Sequence, residues 1–129
     1  MTTDLNLDRY LAIASPVGFA AVATRDDPRP YRAAPFHLAI SQALVALEQG
    51  RLDSLFLCVP VRHGKTRLAS NIMSAWFLGL HPDREVLAAS YAADFASDKV
   101  GGPARDFLSR HGARFFGVAL DLANSARHR

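Results

Sequence analysis

The sequence predicts an α/β fold built on a parallel sheet, and three observations predict it. Leu55–Val59, "LFLCV", is a continuous apolar run closed by Pro60, the pattern of a strand buried on both faces. A largely apolar helix pattern follows, and after it comes a second strand candidate, Glu85–Tyr91. Helix and strand patterns therefore alternate, and alternation favours parallel strands joined by right-handed helical crossovers.

Taken in order, residues 1–14 read as a weak helix with Thr3 or Asp4 as its cap. Leu11–Ala23, "LAIASPVGFAAVA", has the look of a signal-peptide core, but Asp4 and Asp8 outweigh Arg9, so the basic start is missing. The segment reads instead as the end of that helix and an apolar turn around Pro16 and Gly18. Residues 24–35, "TRDDPRPYRAAP", hold three prolines and clustered charge, which predicts a loop. Residues 36–49 predict a helix, because Phe36, Ile40, Ala43, Leu44 and Leu47 recur at the 3.6-residue period. Gly50 is its expected carboxy-terminal cap. A helix from about Gly64 to Gly79 places Leu68, Ile72, Trp76 and Leu80 on one face. His81–Arg84 is a turn. Ala92–Val100 is helical, and Gly101-Gly102-Pro103 is expected to break it. A fresh helix then starts at Pro103 and stops near Gly112. Residues 115–129 show no strong period.

Composition narrows the function classes only partly. Half of the 129 residues are hydrophobic, enough for one folded domain. Thirteen of the fifteen basic residues are Arg, whose planar fork suits oxyanions, but the formal charge is only +3 and is spread along the chain. Cys58 is the only cysteine, so no internal disulfide forms, and a reducing cytoplasm is the expected setting. Within its apolar run Cys58 reads as a small buried hydrophobe.

The informative stretch is "CVPVRHGKTRL", residues 58–68. It ends as a phosphate-binding loop does, in Gly64-Lys65-Thr66, but Val59 stands where the first glycine belongs. Its setting is what phosphate chemistry needs. A strand pattern delivers the chain, the loop turns its N–H groups inward, and a helix begins with its positive dipole end at the loop. Gly64 permits close backbone approach, Lys65 reaches the β- and γ-phosphates, and the Thr66 hydroxyl is offered to Mg²⁺. The plainer alternative is a strand–turn–helix with a solvated Lys65 and a capping Thr66.

"VPVRHGKTRLAS" resembles the Arg-His-Gly-Lys-Ser/Thr variant of the Walker A loop in the large subunits of tailed-phage terminases, the DNA-packaging motors. That variant lacks the first glycine. Upstream, "APFHLAISQALVALEQGRLDSLFLCVP" is similar to the family's Pro-x-His helix, Glu-x-Gly-x-x-Asp turn and strand. Downstream, "SAWFLGLHPDREVLAASYAADFASD", "RDFL" and "FFGVAL" continue the likeness, which spans about residues 30–122. The resemblance implies a P-loop NTPase-like three-layer sandwich that binds ATP and Mg²⁺. It implies an amino-terminal region over residues 1–34 and a partial ATPase domain over 35–129. Arg62, His63, Gly64, Lys65 and Thr66 match the phosphate loop. His37, with Pro35 and Phe36, matches the region that helps seat the adenine. Double-stranded phage DNA, the terminase small subunit and the portal are the implied partners, in the host bacterial cytoplasm.

The chain also departs from the family. Up to Arg129 no apolar run ends in Asp-Asp or Asp-Glu; "VALDLAN" offers Asp121 alone. The expectation is an incomplete domain, truncated before Walker B, that binds nucleotide but hydrolyses it poorly. A non-catalytic remnant acting as an interaction module and another P-loop NTPase such as a kinase are the alternatives. Elsewhere, none of the five histidines pairs with a His or Cys at metal-ligand spacing. Trp76 and Phe77 read as core. Ser90 and Tyr91 end the second strand, where α/β sheets bind ligands or simply pack. Arg105, Arg110 and Arg114 make a solvated helix face or a nucleic-acid-facing stripe. No serine has a nucleophile-elbow setting.

Overall fold

A computed structural model describes residues 2–60 and 67–120, and these form a helical assembly rather than a sheet. Helix α1 (Thr2–Ala14) and helix α2 (Pro16–Ala23) meet at Ser15, where the chain turns. The Ser15 hydroxyl accepts from Gly18 N–H at 3.0 Å and Pro16 takes the first turn, so the expected apolar turn is the capped start of a helix. A Cβ on Gly18 would lie 2.2 Å from the Leu11 carbonyl oxygen, so glycine lets α1 and α2 cross this closely. Helix α2 is buried on nearly every side, through Val17, Phe19, Ala20, Val22 and Ala23.

Helix α3 (Pro35–Glu48) ends as predicted. Gly50 has φ +74°, Arg51 N–H bonds the Ala46 carbonyl at 2.9 Å and Gly50 N–H bonds Leu47 at 3.2 Å, which closes the helix with a left-handed cap. The next described helical segment is a π-helical turn, Arg67–Ile72, which continues as α4 (Met73–Leu80). It supplies the centre of the core: Leu68, Ile72, Ala75 and Trp76 are all buried. The Trp76 indole N–H donates to the Ala12 carbonyl at 3.0 Å, satisfying an acceptor in the last turn of α1 that has no partner within its own helix. Phe19 meets Phe107 and Phe116 edge-on, each with ring centroids 4.9 Å away. The buried Asp8 takes a two-point contact from Arg25, at 2.7 and 3.1 Å, which pins α1 to the loop after α2.

The predicted parallel sheet is the main correction. Among the described residues neither 55–59 nor 85–91 is a strand, and no ladder of backbone hydrogen bonds joins either to another segment. Residues 55–60 are neither helix nor strand, and they are partly buried at alternate positions only. Leu55, Leu57 and Val59 rest on the helical core, while Phe56 is 89% exposed and Cys58 faces outward. A continuous apolar run states that a segment is hydrophobic, not that a second layer covers it. Here the helices lie on one side, so Cys58 is not the buried hydrophobe expected. Residues 85–91 are exposed and lie in neither helix nor strand, with Leu87 at 93% and Tyr91 at 92%.

The Gly-Gly-Pro break is also absent. Helix α5 (Ala93–Ala96) runs through a π-helical segment, Ser97–Gly101, into α6 (Gly102–Phe115). The wider turn relieves the clash that a proline ring makes with the carbonyl four residues earlier, and Gly102 N–H bonds Ser97, five residues back. Helix α6 passes Gly112 and stops three residues later. Gly117, at φ +70°, makes the turn.

Candidate functional site

Arg62, His63, Gly64, Lys65 and Thr66 lie outside the described residues, as does the first turn of the helix expected from Gly64. What the structure describes is the ground on either side. Before the motif, residues 55–59 lie on the core through alternate side chains. After it, Leu68 and Ile72 are buried at the start of the next helix, so the chain leaving the motif is anchored within two residues.

His37 sits in the first turn of α3. Its Nδ1 accepts the Ala34 N–H at 2.9 Å, the arrangement in which a third-position side chain reaches back to the cap. Its ring tilts against Phe36 and Tyr31, with centroids 4.1 and 5.9 Å away. Tyr31 is held by its own N–H, which donates to the Thr24 hydroxyl at 2.7 Å, while that hydroxyl donates to the Ala20 carbonyl at 2.7 Å. Thr24 thereby ties the 24–34 loop to the end of α2.

The Arg67 guanidinium lies over the Tyr31 ring, 5.4 Å from its centroid. The Tyr31 hydroxyl is buried and has no hydrogen-bond partner. Burial raises its pKa, and the Arg67 charge opposes part of the rise. Beside this pair, a cleft of about 230 Å³ opens between the 24–27 turn, the 67–72 turn and α6. Asp27, Arg67, Asn71, Asp106, Phe107 and Arg110 are among its walls. The Asn71 Oδ1 is buried without a partner. Behind the wall, His111 is half-buried and its Nε2 has no partner. Burial lowers the His111 pKa first, Arg110 and Arg114 push the same way, and Asp27 opposes them.

No family model, no curated protein and no solved structure matches this chain. Among the described residues no helix is long and apolar enough to cross a membrane, and no group of three or more His, Cys, Asp or Glu is placed to hold a metal.

The remaining sequence candidates separate in space. Trp76 is core, as read. Tyr91 is exposed and packs on Phe95 with centroids 5.6 Å apart. The α6 arginines do not act as one stripe. Arg110 faces the cleft, while Arg114 lies 4.8 Å over Phe115 and 3.7 Å from Asp8. Sequence reading missed Tyr31, Asn71 and Asp27. The one available signal was spacing: Arg67 and Asn71 stand four apart, hence on one helical face, immediately after the motif.

Proposed function

We propose that this chain binds a nucleoside triphosphate through Arg62–Thr66, as the nucleotide-binding part of a terminase-like DNA-packaging motor. One observation supports this most. The Gly64-Lys65-Thr66 motif directly precedes a helix whose next apolar residues, Leu68 and Ile72, are locked in the core. A phosphate loop needs such an anchored helix behind it, because its donors must be held in place before the anion arrives. The strand expected to deliver the chain to the loop is absent among the described residues, so the anchored helix is the part of the expected setting that supports the reading. Lys65 takes the β- and γ-phosphates, Arg62 and His63 flank them, and the hard hydroxyl oxygen of Thr66 suits Mg²⁺. Double-stranded DNA, a small subunit and a portal are the partners that the motor reading adds.

The test is titration of a fluorescent ATP analogue in Mg²⁺. Lys65→Ala should remove most of the affinity, at least tenfold, because it deletes the mobile charge that meets the phosphates. Lys99→Ala, on the π-helical segment before α6, should leave it unchanged. Equal affinities for wild type and Lys65→Ala refute the assignment.

A second reading, an interaction module without nucleotide, is favoured by Phe56, Leu87 and Tyr91, which are exposed on segments that are neither helix nor strand. It requires concentration-dependent association that Phe56→Ser and Leu87→Ser weaken, with no Lys65-dependent binding.

A further inference from the structure

Helix α1 turns an aspartate inward and apolar residues outward. Of the side chains described on it, only Asp8 and Ala12 are buried, while Leu5, Leu7, Tyr10, Leu11 and Ile13 are exposed, Tyr10 at 71% and Leu7 at 57%. Four outward positions make one stripe. Leu7, Tyr10, Leu11 and Ala14 follow the i, i+3, i+4, i+7 spacing, which puts them on one helical face. Arg9 is the only exposed charge among the described α1 side chains, and it lies about 150° around the helix from that face. At its Ala14 end the stripe runs into a groove of about 370 Å³ between the α1–α2 junction and α3. Ala14, Val17, Leu38 and Val45 give the groove apolar walls, and Leu38 is itself exposed. The stripe thus has an exposed leucine at one end and a hollow beside an alanine at the other.

We propose that this face binds a second copy of the chain, α1 against α1 in antiparallel order about a two-fold axis. The spacing argues for that occupant, because positions 7, 10, 11 and 14 are spaced alike in either direction. An axis passing between residues 10 and 11 sets Leu7 beside the partner's Ala14 and Tyr10 beside the partner's Leu11, and by symmetry the reverse. A large side chain then meets a small one at both ends, and each groove receives a leucine. The two Arg9 side chains turn away, so no like charges enter the contact. A stripe of two helical turns is smaller than the standard interface of roughly 800 Å² per partner, so association is weak and reversible. The inference is independent of the nucleotide reading, and it uses none of Phe56, Leu87 and Tyr91.

The test is sedimentation velocity of the full chain over a concentration series. The dimer should appear between roughly 10 and 500 μM, as a small interface requires. Leu7→Asp should weaken association at least about tenfold, because it carries a charge into the apolar groove. Ala14→Leu separates specific pairing from general stickiness. It adds exposed apolar surface yet fills the space that Leu7 enters, so association should fall about 5- to 100-fold. Tyr10 is the most exposed residue of the stripe, so Tyr10→Arg should show the same loss even if Leu7→Asp loses helix by circular dichroism. Stronger association of Ala14→Leu overturns the proposal. So does association that Leu7→Asp and Tyr10→Arg leave unchanged, and its weakening by Leu87→Ser would assign it to the 85–91 segment instead. A chain that stays monomeric throughout also overturns the proposal, and flotation of that monomer with phosphatidylglycerol vesicles would give the stripe to a lipid surface.

Discussion

Replacing Trp76 by Phe should destabilise the protein by about 2–5 kcal/mol, the sum of two terms. The indole N–H donates to the Ala12 carbonyl at 3.0 Å and lies 3.3 Å from that of Ile13. Ala12 is fully buried, so water does not replace the lost donor. An unsatisfied buried acceptor costs about 1–3 kcal/mol. Phe also leaves part of the indole volume empty in a site only 1% exposed, for roughly another 1–2 kcal/mol, less than the ~3–5 of a full truncation. Against a total of about 5–15 kcal/mol for a domain, that is a large share. The assay is urea unfolding followed by far-ultraviolet circular dichroism, because Trp76 is the only tryptophan and its fluorescence goes with it. Hydrogen exchange adds the location: amides at the end of α1 should lose more protection than those of α6. A loss below about 1 kcal/mol, or equal deprotection of α1 and α6, would refute the assignment of Trp76 as the cap of α1.

Two further outcomes follow from the fold. Gly18→Ala should cost at least about 2 kcal/mol, since its Cβ would meet Leu11 backbone at 2.2 Å; Gly101→Ala, with nothing nearer than 3.8 Å, should be neutral or stabilising in the same urea titration. His111 has a folded pKa below its unfolded value of 6.5, so the unfolded chain binds the proton more readily. Its contribution is fully present above that value and is lost as pH falls through the folded pKa. His111→Gln should therefore flatten the stability profile below pH 6.5, and an unchanged profile contradicts the burial argument.

What could be read from the sequence was whatever one helix decides for itself. The α3 period and its Gly50 cap are local, and so is the stripe of Leu68, Ile72 and Trp76. The absence of the predicted strands was not legible because "LFLCV" is equally apolar whether one face or both are covered. Only packing reveals the alternation that leaves Phe56 and Cys58 outside. Gly-Gly-Pro misled for a related reason. Its breaking power assumes α-helical spacing, and the π-helical segment changes that spacing. The cleft could not be foreseen, because α6 meets the 67–72 turn only in the folded chain, and a lone asparagine on a helix has no pattern. The Gly64-Lys65-Thr66 triplet, in contrast, is visible as sequence alone, and its assignment to a phosphate is the proposal that the Lys65→Ala titration tests.

The bond from Trp76 to Ala12 also has a consequence for synthesis. The two residues are 64 apart in the chain. At translation speeds of roughly 5–20 residues per second, α1 emerges about 3–13 seconds before the side chain that closes its end exists. During that interval its last carbonyls depend on water, and its apolar face has only α2 to rest on. The α1–α2 pair therefore waits, during synthesis, for a contact that lies 64 residues further along the chain. The end of α1 is completed only when that single indole arrives.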